Sequence, residues 1–179
     1  MNFGFRRENW PGETDWASDT YKGECGLGQP VTGLSKYLGD QNQAHAVLCG
    51  TTTISGYSQA SCHGIGFYPA NNPPGLGDWD PYYVKGECAA NEYVQGIGQD
   101  RDGLLNAIYC CQGCVTHSAC DSQVFYSGDS AGYGTSPDWD PQFSKGQCPA
   151  GQYVAGVGVV YFPSTGTPGA PHAILCCTP

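Results

Sequence analysis

The chain has 179 residues, enough for one domain whose core removes about 70% of the unfolded chain's surface from water. A formal net charge of −9 with only seven Lys and Arg argues against nucleic acid and anionic membranes as partners, since both need clustered cations. Twenty-seven Gly and 13 Pro leave little room for helices, and no apolar run approaches membrane-spanning length, so no membrane insertion is expected.

In chain order, the elements fall into three like units within a single domain. The first, residues 1–61, opens with an aromatic strand, Phe3-Gly4-Phe5-Arg6. A phrase follows, Asp15-Trp16 and then Lys22-Gly23-Glu24-Cys25. Next comes an alternating strand over 30–35 with Gly33 inside, and glycine within a strand marks a bulge or a close approach. His45-Ala46-Val47-Leu48-Cys49 closes the unit. The second unit, residues 62–119, repeats the order with Ile65-Gly66-Phe67-Tyr68, Asp78-Trp79, Lys85-Gly86-Glu87-Cys88, a strand over 93–98 around Gly96, and Asn106-Ala107-Ile108-Tyr109-Cys110. The third, residues 120–179, has Val124-Phe125-Tyr126, Asp138-Trp139, Lys145-Gly146-Gln147-Cys148, a strand over 153–158 around Gly156, a longer loop over 162–171, and His172-Ala173-Ile174-Leu175-Cys176. Successive phrases are offset by 63 and 60 residues, and a fixed period of this size means repeated supersecondary units. Short apolar runs between Gly, Pro, Asn and Asp clusters predict strands, about four per unit. The expected fold is all-β, three pseudo-symmetric four-stranded repeats in a disulfide-stapled β-prism, with the β-trefoil as the alternative of like count and symmetry.

Eleven cysteines in a chain this small indicate an oxidising, extracellular setting. Met1 is followed by no apolar signal core, so the chain reads as a mature secreted protein or a domain cut from a longer one. Laying the units over one another sorts the cysteines. Cys25, Cys88 and Cys148 are equivalent, and so are Cys49, Cys110 and Cys176. The simplest pairing is within each unit: 25–49, 88–110 and 148–176. Cys62 and Cys120 precede the opening strands of units two and three, whose ends carry Cys111 and Cys177; unit one has Gly50 there and no early cysteine. Both halves of a second bridge are missing together, which predicts 62–111 and 120–177. Cys114 is left over. Cys111-x-x-Cys114 with His117 has the look of a redox or zinc cluster, but the repeat already assigns Cys111 to a structural bridge.

The Asp-Trp phrase is the best surface-site candidate. Sugar recognition needs an aromatic face for C–H groups and carboxylates or amides for hydroxyls. Trp79 with Asp78, Asp80 and Tyr82, Trp139 with Asp138 and Asp140, and Trp16 with Asp15 supply those types; unit one has Ala17 in place of the second Asp. The structural reading is that Trp packs in the core and Asp pairs with Lys22, Lys85 or Lys145, which use three of the seven cations at one repeat position. Calcium is a weak candidate cofactor, because Asp80, Asp140 and the Asp100-x-Asp102-Gly103 loop offer hard oxygens, but Asp-Gly is first a turn signal. His45 and His172 share a register on an apolar strand and read as satisfied, half-buried side chains. No catalytic motif is present, so the chain is not expected to be an enzyme.

Unit two, with Trp79, Cys88, Gly96, Asp100-Arg101-Asp102-Gly103-Leu104-Leu105-Asn106-Ala107-Ile108 and Cys110, resembles the repeat of the vitelline membrane outer layer protein I family. The Asp-Trp-Asp-Pro and Lys-Gly-Glu-Cys wording also resembles repeat modules appended to secreted bacterial hydrolases. The first resemblance implies a disulfide-bonded β-prism of three pseudo-equivalent sheets whose shape suits a carbohydrate-binding groove. His45 and His172 depart from the family's Asn, and unit three loses the Asp-rich loop. The expected role is a secreted, lectin-like, non-catalytic module that binds carbohydrate or cell-surface glycan and targets a covalently linked hydrolase or toxin. The rivals are a structural extracellular coat protein without a ligand and a glycan-acting enzyme using Glu87 with Asp80.

Overall fold

The computed structural model describes residues 1–7, 15–38, 43–67, 78–125, 138–162 and 167–179. Tyr68 and Tyr126, placed above in the opening strands, lie outside them. Among the described residues twelve strands are formed: β1 (Asn2–Gly4), β2 (Tyr21–Glu24), β3 (Val31–Lys36), β4 (Ala44–Cys49), β5 (His63–Gly66), β6 (Val84–Glu87), β7 (Glu92–Gln99), β8 (Leu105–Gln112), β9 (Ser118–Val124), β10 (Ser144–Gln147), β11 (Tyr153–Phe162) and β12 (Thr167–Thr178). They make three separate antiparallel sheets of four strands: sheet A, β1-β4-β3-β10; sheet B, β2-β7-β8-β5; and sheet C, β6-β11-β12-β9. The sheets do not close into one barrel, which sets the trefoil aside, and the arrangement is prism-like.

A unit is not a sheet. Each Lys-Gly-Glu/Gln strand leaves its own unit and becomes the edge of the next one's sheet. β2 pairs with β7, β6 with β11, and β10 returns to β3 of the first unit. The exchange is cyclic. The first cysteine set closes the same ring. Cys25 follows β2 of sheet B and bonds Cys49 on β4 of sheet A; Cys88 joins sheets C and B; Cys148 joins sheets A and C. The second set, Cys62–Cys111 and Cys120–Cys177, stays within sheets B and C. These are the five pairs that the repeat alignment predicts.

Strand alternation explains the adjacent cysteines. Successive side chains face opposite sides of a sheet. Ile108 and Cys110 enter the central core with Val31, Leu34, Val94, Ile97, Val154 and Ile174, while Tyr109 and Cys111 join a second cluster with Tyr93, Tyr153 and Leu175. The inner cysteine staples sheets together and the outer one staples strands.

Two sequence expectations shift. The opening strands end sooner than expected, so Phe5, Phe67 and Phe125 sit just beyond β1, β5 and β9. There each ring covers the glycine of the Lys-Gly phrase: a Cβ on Gly23, Gly86 or Gly146 would meet Phe5, Phe67 or Phe125 at 3.3 Å. The loop expected over 162–171 is shorter, because β11 and β12 pair as far as Phe162 and Thr167.

Candidate functional site

The repeated phrase folds over the outer face of the sheet that receives its strand. Trp16, Trp79 and Trp139 are half-buried. Their rings lie on the in-strand glycines of the next unit: a Cβ on Gly96, Gly156 or Gly33 would come within 3.2, 3.2 and 3.3 Å of them. Each indole N–H donates to the residue eight positions on: Trp16 to Glu24, Trp79 to Glu87 at 2.7 Å, and Trp139 to Gln147 at 3.1 Å. Burial raises the Glu87 carboxyl to about 7, against the smaller opposing pull of the indole hydrogen bond and Lys85. A neutral Glu87 resembles the amide that stands at Gln147.

The rationed lysines sit under the loop. Lys22, Lys85 and Lys145 are 1%, 3% and 2% exposed. Their ammonium groups reach Asp15, Asp78 and Asp138 at 2.5, 2.6 and 2.7 Å. Lys85 also donates to the carbonyls of Asp80 and Tyr83, and Lys145 to those of Asp140 and Phe143. The Lys85 hydrogen bond holds the Asp78 carboxyl below its ordinary range.

The second aspartates are buried and face the histidines. His172 Nδ1 lies 3.0 Å from Asp80 Oδ1, and His45 Nδ1 lies 2.9 Å from Asp140 Oδ2. Burial raises the Asp80 carboxyl; its histidine partner opposes that rise. Ser35 donates to Asp140 as well. Each imidazole is sandwiched by an aromatic ring of the phrase: Tyr83 stacks on His172 at 3.5 Å and Phe143 on His45 at 3.6 Å. In the remaining unit Ala17, Thr20 and Asn106 occupy the three corresponding positions. The histidine is therefore present where an aspartate faces it across the unit boundary.

Of the nine ligand candidates, Tyr82 is fully exposed, and Asp15 and Asp78 are exposed but ion-paired. The three Trp, Asp138, Asp80 and Asp140 are half-buried or buried within the chain's own network. Tyr82 holds φ +73°, and Asp19 and Gln142 at the same repeat position hold +59° and +74°, so the loop needs a left-handed residue there. Asp100 Oδ1 accepts from the amides of Asp102 and Leu104, the turn reading of that loop. Among the described residues one group of three metal-ligand types is compact, His117 with Cys120 and Cys177, and both sulfurs belong to one disulfide. Cys111 is bonded to Cys62, so the proposed Cys111–Cys114 redox or zinc pair is not formed; Cys114 is free and exposed.

A cleft of about 320 Å³ opens where sheets A and B meet. Tyr21 lines it from β2, Tyr37 from just past β3, His45 from β4, and Gln99, Asp100 and Arg101 from the end of β7 and its turn. Tyr37 is 44% exposed and packs edge-on against His45. Gln99 Oε1 is buried and has no hydrogen-bond partner within the described residues. Sequence reasoning missed this cleft because its walls come from different units. The chain matches no family model, no curated protein and no solved structure. Five disulfides fit an extracellular protein, and no helix among the described residues is long and apolar enough to cross a membrane.

Proposed function

We propose that the protein is a secreted, non-catalytic carbohydrate-binding module, and that the cleft between sheets A and B is its glycan site. The observation that carries this reading is the lining: two tyrosines beside an amide, a carboxylate and a guanidinium, with a Gln99 Oε1 that has no hydrogen-bond partner within the described residues. Ligand sites are concave, with a few polar groups set among aromatic surface. The Asp-Trp phrase then serves as the frame that fixes His45 and the cleft wall, with exposed Tyr82 as an outlying contact. The likeness to the vitelline membrane outer layer protein I family and to modules of secreted bacterial hydrolases supports the same role, including delivery of a linked hydrolase or toxin to a glycan surface.

A glycan array probed with the wild-type chain, Tyr37→Ala and Gln99→Ala tests it. Binding to a defined set of glycans that weakens about tenfold or more in both variants, in line with one or more kcal/mol per lost contact, is the expected result. No bound glycan points to the coat-protein rival. Glycan turnover that vanishes in Glu87→Gln points to the enzyme rival.

A further inference from the structure

A second cleft lies at the opposite end of the β3–β4 hairpin, where unit one lacks its outer bridge. Gly50 stands there in place of Cys111 and Cys177. The opening holds about 180 Å³ and borders a wider depression of about 400 Å³, with which it shares Thr32, Gly50, Thr51, Gly151 and Gln152.

Tyr153 lines the narrow part and is 2% exposed, yet its hydroxyl has no hydrogen-bond partner within the described residues. The sequence explains the orphan. In sheet B the equivalent Tyr93 donates to Gln95, two residues on, at 3.4 Å. In sheet C that position is Ala155, and the phenol finds no partner within the described residues. Burial lifts Tyr153 to about 12, so it stays a neutral donor. The neighbouring Gln152 has a buried Oε1 that is also without a partner within the described residues. A buried polar group left unpaired keeps its desolvation cost, so a donor and an acceptor orphaned in one cleft favour an occupant. No side chain lining the narrow cleft is charged; Pro179 forms part of its wall, and Thr51 and Thr52 add exposed hydroxyls.

We propose that this cleft is a second binding site for an uncharged polyol, in which a ligand hydroxyl accepts from Tyr153 and donates to Gln152. One sugar-like unit occupies the narrow part, and the wider depression takes its neighbours. The inference shares with the glycan reading only its ligand class, and it stands on different residues.

The test uses glucose, galactose, mannose and a mixed neutral oligosaccharide as probes, with amide chemical shifts and titration calorimetry as readouts. Shifts at Thr51, Thr52 and Gly151 with a Kd that weakens at least tenfold in Tyr153→Phe and in Gln152→Leu are expected. Tyr153→Phe keeps the ring and loses only an unpaired hydroxyl, so its melting temperature should hold and loss of binding cannot be a folding defect. Tyr37→Ala should leave these shifts intact. If Tyr37→Ala removes all sugar binding and Tyr153→Phe none, this inference fails while the first site stands. If the reverse holds, the second site stands and the first fails. A wild-type chain that shows no shifts at Thr51, Thr52 and Gly151 with any probe overturns the proposal, the orphaned groups then meeting water alone.

Discussion

The loop over sheet C and the loop over sheet B carry the same Trp on the same glycine and the same buried Lys, yet they lock down differently. Over sheet C, a buried Asp80 carboxylate, the half-buried His172 imidazole and the stacked Tyr83 ring form a clasp. Over sheet B, Ala17, Thr20 and Asn106 replace all three, and Asn106 Oδ1 is buried with no hydrogen-bond partner within the described residues. Sheet A repeats the clasp with Asp140, Phe143 and His45. The lesson is that the three residues form one unit of exchange. A buried carboxylate without its imidazole is worse than no carboxylate, so the copy over sheet B dispenses with the set together.

The sharpest way to break the contrast is to strip half of one clasp. His172→Ala strands the buried Asp80 and should cost about 2 kcal/mol in urea unfolding. Asp80→Ala with His172→Asn copies the pair of sheet B and should recover most of that loss. A double-mutant cycle with no coupling between the two positions would show that they act separately. Glu87→Gln sharpens the comparison with Gln147. In the folded chain burial pushes the Glu87 carboxyl up to about 7, above the ordinary carboxylate value of 4.5. Between those values the unfolded chain ionises first, the folded chain holds the extra proton, and stability therefore falls as pH rises. Glu87→Gln should flatten that decline and stabilise the protein above pH 7 by about 1 kcal/mol, the pKa effect being reduced by the solvent that reaches this half-buried group. A melting-temperature series across pH reads it, and an unchanged slope would assign the decline to other groups. The smallest effect is expected at Tyr82. Tyr82→Asn relieves a left-handed bulky residue and should stabilise by about 0.5 kcal/mol, while glycan affinity drops if the exposed ring touches ligand.

Much of the architecture was legible because the chain contains its own alignment. Three copies sufficed to pair ten cysteines, to place strands around Gly33, Gly96 and Gly156, and to mark Lys22, Lys85 and Lys145 as special. What stayed hidden lay between copies. Strand patterning reports which face a residue takes and not which neighbour an edge strand joins, so the passing of β2, β6 and β10 to the next sheet left no trace in periodicity. The same blindness made the Trp residues ambiguous and left the cleft of Tyr37 and Gln99 unseen. A signal did exist: setting the phrase of one unit against the closing strand of the next matches Asp80 with His172, Asp140 with His45, and Ala17 with Asn106. Partners one unit apart change together when they touch.

The return of β10 to β3 also decides when the protein can finish folding. Ser144 must reach Lys36, so sheet A has no fourth strand until the third unit has been made. Contacts between residues so far apart in sequence are slow to form, and on the ribosome the first unit waits with the flank of β3 unpaired. Cys148 directly follows β10 and bonds Cys176 on β12, so that late closure is also a covalent one between sheets A and C.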